Sequence, residues 1–348
     1  MLHQPKIVVL IVLCLLTICA VALAQNSATE STAQPPSEGQ VGGSSAEPMR
    51  ESDTAPGLLD FLLSWKYILF FAFSAIGLVL LLGRWINLWV RLIGVVVMFV
   101  VFGLDYFVPV HPSPMCGITK LFMFKFTQGE FFPVFVVIFL AIFIPSLIGR
   151  KLFCGWVCPL GALQEIINKL PSKLRFKQFN FTAFNSVRMG LLVMFFLTFF
   201  LVKEQIGMLA DQVGANSQEP MWRAFAAYSV YDPVNFFELL HWEWAAIDTT
   251  WVVMFLVLLV SSYLLYRPFC YLVCPIGAIS WLLERIAPGR VRVDHSKCNG
   301  CGVCVIKSPC PTIAKLIDEK TKVAPDCTSC GECLGTCPSN AIKFSFTK

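Results

Sequence analysis

The chain has 348 residues, of which 56% are hydrophobic and 14% are charged, and its mean hydropathy is +0.69. This composition excludes an ordinary soluble globular protein, and a net charge of only +5 gives no reason to expect a nucleic-acid partner. The 31 phenylalanines and 9 tryptophans are typical of a protein that lies in a lipid bilayer and its interfaces. The 15 cysteines are too many for chance, so their spacing is the first indication of chemistry.

The first 57 residues divide into two segments that precede the folded part of the chain. Residues 1–24 combine a basic start, an apolar run and the sequence Ala-Leu-Ala, which together predict a secretory signal peptide. The apolar run is long for a signal, so an uncleaved signal anchor is the alternative. Residues 25–57 are rich in Ser, Gly, Pro and Gln, which predicts a disordered linker outside the membrane.

Five apolar stretches predict an α-helical membrane core between residues 58 and 290. Each is close to the ~20 residues that span a bilayer, and they cover residues 62–83, 92–110, 131–149, 187–203 and 250–266. The segment 150–188 carries seven basic residues against the single acidic Glu165, whereas 204–248 carries seven acidic residues against the single basic Arg223. By the positive-inside rule the first segment faces the cytoplasm and the second faces outside, which places everything after Arg267 in the cytoplasm.

The last part of the chain, residues 291–348, contains two closely spaced cysteine runs. The second, CTSCGECLGTCP at 327–338, has the C-x2-C-x2-C-x3-C-P spacing of bacterial ferredoxins that bind two 4Fe–4S clusters. In that arrangement the first three cysteines of a run hold one cluster and its last cysteine holds the other. The predicted ligands are therefore Cys298, Cys301, Cys304 and Cys337 for one cluster, and Cys327, Cys330, Cys333 and Cys310 for the other.

The first run, CNGCGVCVIKSPCP at 298–311, departs from this spacing, because five residues rather than three precede Cys310. A loop extension of two residues costs little chain entropy, so the assignment of Cys310 is kept. Zinc or disulfides are the alternative, but zinc sites use pairs of cysteines and disulfides are disfavoured in the cytoplasm. We therefore expect a small α+β domain of the bacterial two-cluster ferredoxin type at residues 291–348.

Two similar segments, KLFCGWVCPLGA at 151–162 and RPFCYLVCPIGA at 267–278, each follow an apolar stretch on the predicted cytoplasmic side. Cysteines four residues apart share one face of a helix, while the proline after the second cysteine fits the first turn of a new helix. The repetition indicates an internal duplication whose two copies could offer four thiolates to one site. The cysteines concerned are Cys154, Cys158, Cys270 and Cys274.

Three interpretations of these four cysteines are open from the sequence. They could hold a shared iron–sulfur or other metal centre, they could be redox thiols or a copper site, or they could be small residues that pack helices. A second group of soft ligands, His111, Met115 and Cys116, lies on the predicted outer side and could bind copper, with His241 of the other outer loop able to join it. The alternative there is a proline-rich turn in which Met115 and Cys116 are packing residues.

With two C-x3-C-P motifs at the membrane edge and a two-cluster ferredoxin tail, the chain from about residue 60 onward resembles the membrane polyferredoxin family. This family includes the NapH-type subunit of periplasmic nitrate reductase systems, the membrane core of the NosR regulators and, more distantly, the CcoG-type copper-reducing assembly factors. The NosR branch also carries a flavin-binding domain outside the membrane, and this sequence shows no flavin attachment motif. The layout is therefore most similar to the NapH type. The linker and the acidic loop at 204–248 depart from the NapH pattern.

The resemblance implies a protein of the bacterial inner membrane that transfers electrons between the quinone pool, a cytoplasmic iron–sulfur module and a periplasmic redox partner. Quinol would be the electron donor to the two 4Fe–4S clusters, and a further metal or iron–sulfur centre at the C-x3-C-P motifs is one of the three open interpretations. Two other functions are open: a reductase or assembly factor that supplies copper or another metal to a respiratory enzyme, and a redox-sensing regulator. The sequence contains no phosphate-binding glycine loop, nucleophile elbow or metalloprotease helix, so we expect an electron-transfer subunit of the quinol dehydrogenase type.

Overall fold

The computed structural model describes residues 58–104, 106–109, 113–129, 131–171, 176, 181–213, 231, 249–318 and 326–346. The predicted signal segment, the linker, His111 and His241 lie outside these described residues. Within them the protein is mostly helical, with a two-stranded sheet near the carboxyl end.

The elements follow one another in a regular order along the chain. The helices of the core are α1 (Leu58–Leu62), α2 (Trp65–Gly83), α3 (Leu88–Gly103), α4 (Pro114–Gln128), α5 (Pro133–Gly149), α6 (Leu152–Trp156), α7 (Pro159–Lys169), α8 (Phe181–Val213), α9 (Thr249–Leu264), α10 (Pro268–Leu272) and α11 (Pro275–Leu283). The carboxyl-terminal part contains β1 (Arg290–Val293), α12 (Val303–Lys307), α13 (Ile313–Asp318) and β2 (Ile342–Ser345).

Local sequence signals account for several helix boundaries. Asn87 caps α3, where its side-chain oxygen accepts a hydrogen bond from the Val90 amide at 2.8 Å. Ser113 caps α4 in the same way, 3.1 Å from the Cys116 amide, and Pro114 follows at the first helical position. These caps satisfy amides that have no partner inside their helix, and they fix where each helix begins.

Each of the five predicted apolar stretches overlaps a helix, but the number of membrane crossings stays a prediction. Among the described residues, α2 is the helix with both the length and the composition to cross a bilayer. The other apolar helical segments are shorter, at Leu88–Gly103, Pro133–Gly149, Thr182–Thr198 and Val252–Leu264. α4 was not predicted as a regular helix, because Thr119, Lys120 and Lys125 interrupt its apolar residues.

The buried core places two pairs of short helices in the interior. The pair α6–α7 packs against α2, α3, α5 and α9, and the pair α10–α11 packs against α8. Phe153 on α6 and Ala162 on α7 are completely buried, as are Val95 on α3 and Val137 on α5. The short helices, which carry the C-x3-C-P motifs, are therefore held by longer helices on several sides.

The carboxyl-terminal part is organised by its two strands. β1 and β2 pair antiparallel, with Val293 opposite Ile342 and Arg290 opposite Ser345. Along β2, Ile342 and Phe344 are buried and Lys343 between them is exposed, as expected for a strand with one covered face. Because the first cysteine run follows β1 and the second precedes β2, the strand pair brings the two runs together.

Candidate functional site

Each C-x3-C-P motif is a break between two helices rather than part of one continuous helix. In the first copy α6 ends at Trp156 and α7 begins with Pro159, so Cys158 is the residue that caps α7. In the second copy α10 ends at Leu272, and Cys274 caps α11. Proline starts the new helix readily, because its fixed φ suits a helix and its missing N–H would have no partner in the first turn.

The two copies share their backbone geometry, as expected for an internal duplication. The first residue of each copy, Lys151 or Arg267, has a left-handed φ of 47° or 51°. In each copy the amide of the second cysteine donates to the carbonyl of a phenylalanine, Phe153 at 3.1 Å in the first and Phe269 at 3.0 Å in the second. Both pairs of cysteines are therefore positioned by the same type of backbone turn.

The four cysteines of the two copies line one small cavity of about 20 Å³. All four are buried, with exposed fractions of 6% for Cys154, 8% for Cys158, 9% for Cys270 and 7% for Cys274. Burial, and then the charge of Cys270, raises the pKa of the Cys154 thiol to about 11, and burial raises the pKa of the other three thiols as well. Thiols in this state bind a metal by releasing their protons, so a bound centre and the thiolate form stabilise each other.

Buried cations surround this cavity in a nearly symmetric way. The guanidinium of Arg267 donates to the Cys154 carbonyl at 2.9 Å, and that of Arg188 donates to the Cys270 carbonyl at 3.0 Å. Lys151 forms part of the cavity wall. These three positive charges lower the cost of placing thiolates in a buried site.

Gln164 on α7 joins the first copy to a cysteine of the second. Its side-chain amide nitrogen lies 3.5 Å from the Cys270 sulfur, and its oxygen accepts a hydrogen bond from the Phe269 amide at 3.0 Å. The side chain is completely buried. Hydrogen bonds to ligand sulfurs are one of the factors that set the potential of an iron–sulfur cluster, so Gln164 is placed to tune a centre in this cavity.

Glu165, the single acidic residue of the predicted inner loop, connects both copies to α3. Its carboxylate accepts two hydrogen bonds from Arg91 at 2.8 Å, one from Arg267 at 2.5 Å and one from the Tyr266 hydroxyl at 3.1 Å. The three charged side chains are 0% exposed. Burial would raise the pKa of Glu165, but the charges of Arg91 and Arg267 outweigh burial and hold that pKa well below its usual value. Because Arg267 also binds the Cys154 carbonyl, this network fixes the first copy against the second.

The cysteines of the tail lie in two groups that follow the predicted ligand sets, while ligation itself stays a prediction. Burial and then the charges of neighbouring cysteines raise the pKa of Cys304 in one group and of Cys333 in the other. Those neighbours are Cys337 and Cys298 for Cys304, and Cys310, Cys330 and Cys327 for Cys333. The remaining cysteine, Cys301, is exposed in the loop between Cys298 and Cys304.

The loop that carries the second cysteine run lies directly against the four-cysteine cavity. Thr328 lines the cavity, and the Ser329 carbonyl accepts a hydrogen bond from the Trp156 indole at 3.0 Å. The Ser329 hydroxyl donates to the Gly149 carbonyl at 2.5 Å. A Cβ atom on Gly155 would lie 2.4 Å from the Thr328 carbonyl oxygen, so the close approach of the two segments depends on glycine at this position.

Buried ion pairs hold the same loop in place. The Asp326 carboxylate pairs with Lys151 and, at 3.0 Å, with Arg188, and its backbone amide donates to the Glu284 carboxylate at 3.0 Å. Lys151 also begins the first C-x3-C-P copy and borders the cavity. One lysine therefore contacts both the four-cysteine site and the ferredoxin loop.

The predicted outer group is only partly described. Met115 and Cys116 are 1% and 4% exposed near the start of α4, and His111 and His241 lie outside the described residues. In the described part of the chain, no group of three or more His, Cys, Asp or Glu side chains has the geometry to bind a single metal ion. The outer copper site stays a prediction.

Parts of the chain are similar in sequence to known proteins. A sequence family described as a 4Fe–4S binding domain matches the chain twice, at residues 131–177 and 247–293. The ferredoxin-type protein NapH of Haemophilus influenzae is 27% identical over 207 residues, which are 58% of this chain and 64% of that protein. The methylamine utilization ferredoxin-type protein MauN of Methylobacillus flagellatus is 30% identical over 168 residues, which are 48% of this chain and 51% of that protein. The chain is similar to the NapH-type ferredoxin proteins, and its two matches to the 4Fe–4S binding domain support a polyferredoxin of that type.

A further relative of this polyferredoxin is YccM of Escherichia coli K12, whose name refers to electron transport. It is 27% identical over 217 residues, which are 61% of this chain and 56% of that protein. The polyferredoxin thus spans between about half and two thirds of the length of these three relatives. No solved structure gives a significant match.

Each family match contains one copy of the C-x3-C-P motif, and both cysteine runs of the tail lie beyond the second match. The 4Fe–4S description therefore applies to the segments for which sequence reasoning left three interpretations open. Four buried thiols around one cavity, with cations and an amide donor beside them, are a donor set that fits an iron–sulfur cluster. The two domain matches and the ferredoxin-type relatives thus support a 4Fe–4S protein of the ferredoxin type.

The cysteines were predicted from the sequence, but the residues that surround and position them were not. Glu165 had a signal, because it is the lone acid in a basic segment. No such sequence signal marks Gln164, Arg188 or Asp326, since each contacts a partner more than 80 residues away in the sequence. The first residue of each repeat, a cation in both copies, could have been recognised as part of the motif.

Proposed function

We propose that this polyferredoxin is a membrane-bound electron-transfer protein with three iron–sulfur centres. Two lie in the ferredoxin domain, and the third is held by the four cysteines of the C-x3-C-P motifs. The observation that carries the proposal is the convergence of these cysteines on one buried cavity, within segments that match a 4Fe–4S family. The proposed ligands of the ferredoxin domain are Cys298, Cys301, Cys304 and Cys337 for one cluster and Cys327, Cys330, Cys333 and Cys310 for the other; those of the third centre are Cys154, Cys158, Cys270 and Cys274.

When bound, such clusters supply one-electron redox chemistry. The residues of the chain position and insulate them. Phe153 and Phe269 form apolar walls of the four-cysteine cavity and keep water away from the thiolates. Tyr271, which is 1% exposed, lines that cavity and also lies close to the second group of ferredoxin cysteines, whose charges follow burial in raising its pKa. The cavity and the second cysteine run are therefore separated by little more than one buried side chain.

The membrane orientation and the partners are part of the proposal. We place the core across the bacterial inner membrane in several passes, with the ferredoxin domain in the cytoplasm, because the predicted inner segment is basic and the predicted outer segment is acidic. Quinol is the proposed electron donor, and a periplasmic redox protein is the proposed acceptor. NapH, MauN and YccM support electron transfer in general, since all three names refer to ferredoxins or electron transport.

A crevice of about 570 Å³ supports the quinol part of the proposal. Its walls come from α3, α7, α12 and the segment after α12. They include the exposed Trp89 and the ion pair between Lys169 and Glu332 at 2.8 Å. Glu332 lies within the second cysteine run, so a ring bound in this crevice would be close to a cluster ligand. Apolar walls with a few polar groups are typical of small-molecule sites.

The experiment that tests the proposal compares the wild-type protein with a Cys154→Ser, Cys270→Ser double variant, both purified without oxygen. Iron and acid-labile sulfide are counted, and the EPR spectrum is followed during a redox titration. Three clusters predict about twelve irons in the wild type and about eight in the variant, with one redox transition lost. Equal iron content and identical spectra in the two proteins would show that the four cysteines hold no centre.

The same preparation separates the two alternative functions. Copper bound stoichiometrically by the wild type and lost in the double variant would favour a metal reductase or assembly factor, because soft thiolates prefer Cu(I). Slow reduction of the clusters by a quinol analogue, on a timescale of minutes, would favour a redox-sensing regulator. Rapid reduction is the result expected for an electron-transfer subunit.

A further inference from the structure

The two cysteine groups of the ferredoxin domain differ in their exposure. Three members of the second run, Cys327, Cys330 and Cys333, are 6%, 4% and 6% exposed, and their loop packs against the four-cysteine cavity. In the first group Cys301 is exposed and Cys298 is partly exposed. The second run thus faces the interior of the protein, whereas the first group reaches solvent at Cys298 and Cys301, with Cys304 buried beneath them.

The backbone around the exposed cysteines leaves their outer side open. Gly300 and Gly302 have left-handed φ values of 68° and 67°, and a Cβ atom added to either would meet no atom within 4 Å. By contrast, a Cβ on Gly331, in the second run, would lie 2.3 Å from the Ile86 side chain. A second protein could therefore approach the first run closely, whereas the corresponding side of the second run is already covered.

The surface beside the open loop is basic. Lys297 and Lys307, which flank the first three cysteines of the run, are both exposed. Across the strand pair Arg292 lies opposite the exposed Lys343. Between residues 290 and 307 the sequence has one acidic residue, Asp294, whose carboxylate accepts hydrogen bonds from Ser296. Asp326, which precedes the second run, and Glu332 within it form ion pairs with Lys151 and Lys169.

We propose that this surface, defined by Lys297, Gly300, Cys301, Lys307 and Lys343, is a docking site for an acidic, soluble one-electron carrier protein. The inference rests on the proposed iron–sulfur function and adds a second partner, on the side of the ferredoxin domain. The carrier and the polyferredoxin exchange one electron between a reduced centre on one protein and an oxidised cluster on the other, and no proton or bond is involved. The order of centres is then exposed group, buried group and four-cysteine cavity.

The test uses the full-length protein in detergent and an acidic plant-type 2Fe–2S ferredoxin as the probe. Binding is measured by isothermal titration calorimetry with both proteins oxidised, and electron transfer from the reduced probe is followed by stopped-flow absorbance. We compare the wild type with a Lys297→Glu, Lys343→Glu variant, and use Lys120→Glu, an exposed lysine on α4, as the control. Reversal of two charges should weaken binding and slow the second-order reaction by about tenfold or more at low salt, while the control stays at the wild-type value.

Salt separates docking from a change in cluster potential. The Debye length falls to about 3 Å at 1 M salt, so an effect of docking should vanish there, whereas a shifted potential would persist. Reduction by dithionite, together with the cluster EPR signal, should be unchanged in the variant. Wild type and variant that bind the probe equally at every salt concentration, with clusters present, would overturn the docking site alone. A wild type without a 4Fe–4S EPR signal would overturn the proposed function and this inference together.

Discussion

Replacement of Glu165 tests how the four-cysteine site is held together, because it leaves the four cysteine ligands unchanged. The substitution Glu165→Gln keeps the shape of the side chain but removes the charge that Arg91 and Arg267 share in a completely buried environment. Removal of one partner from a buried ion pair costs about 3–5 kcal/mol, because the remaining charge is left uncompensated. Here two guanidinium groups lose their counter-charge, and one of them also holds the Cys154 carbonyl.

A loss of that size should lower the midpoint of thermal unfolding by on the order of 10 °C, when scaled from soluble domains. It should also release the iron of the four-cysteine centre while the ferredoxin clusters are kept. Circular dichroism and iron counts on the purified proteins measure the two effects. Lys120→Gln, at an exposed position on α4, is the control and should change stability by less than about 0.5 kcal/mol.

A double-mutant cycle makes the reasoning refutable. Arg91→Met combined with Glu165→Gln should recover part of the loss, with a coupling energy of about 0.5–3 kcal/mol, because fewer buried charges are left unpaired. If Glu165→Gln unfolds at the wild-type temperature and retains all of its iron, the network does not hold the two copies together.

The same residue predicts a pH dependence. The pKa of Glu165 is depressed in the folded protein, so its contribution to stability is present above the pKa of the unfolded chain, about 4.3, and is lost as the pH falls toward the folded value. The stability difference between wild type and Glu165→Gln should therefore be constant near neutral pH and shrink below about pH 4. Unfolding of the iron-free proteins across this range measures it, and a difference that grows on acidification would contradict the assignment.

Two further predictions concern the contacts around the cavity. Gly155→Ala should separate the ferredoxin loop from the core, because the added methyl would lie 2.4 Å from the Thr328 carbonyl oxygen. Faster amide hydrogen exchange in that loop would report the separation. The control Gly190→Ala, which has no atom within 4 Å of the added group, should leave the exchange rates unchanged. Gln164→Glu keeps an acceptor for the Phe269 amide but removes the donor to the Cys270 sulfur. Loss of a hydrogen bond worth about 0.5–1.5 kcal/mol should lower the reduction potential of the four-cysteine centre by at least roughly 20–60 mV, as measured by an EPR redox titration.

Much of the chemistry was predictable because it is encoded locally. A cluster needs three thiolates within a few residues, so the C-x2-C-x2-C spacing at 327–333 predicts a ligand set without any knowledge of the fold. The apolar stretch at 62–83 likewise predicted a helix that runs from Trp65 to Gly83, because length and hydropathy are properties of a single segment. By contrast, α4 was missed, since the polar residues that interrupt it hide a helix that is buried against its neighbours.

Spacing alone shows which cysteines belong to which motif and that the C-x3-C-P segment occurs twice. The folded chain was needed to show that all four of those cysteines share one cavity and that the second cysteine run lies beside it. The physical reason is the range of the interactions. Helix starts and cluster spacings depend on residues within one or two turns, whereas the pairing of Asp326 with Lys151, or of Glu165 with Arg267, joins segments more than 100 residues apart and leaves no periodic signal in either one.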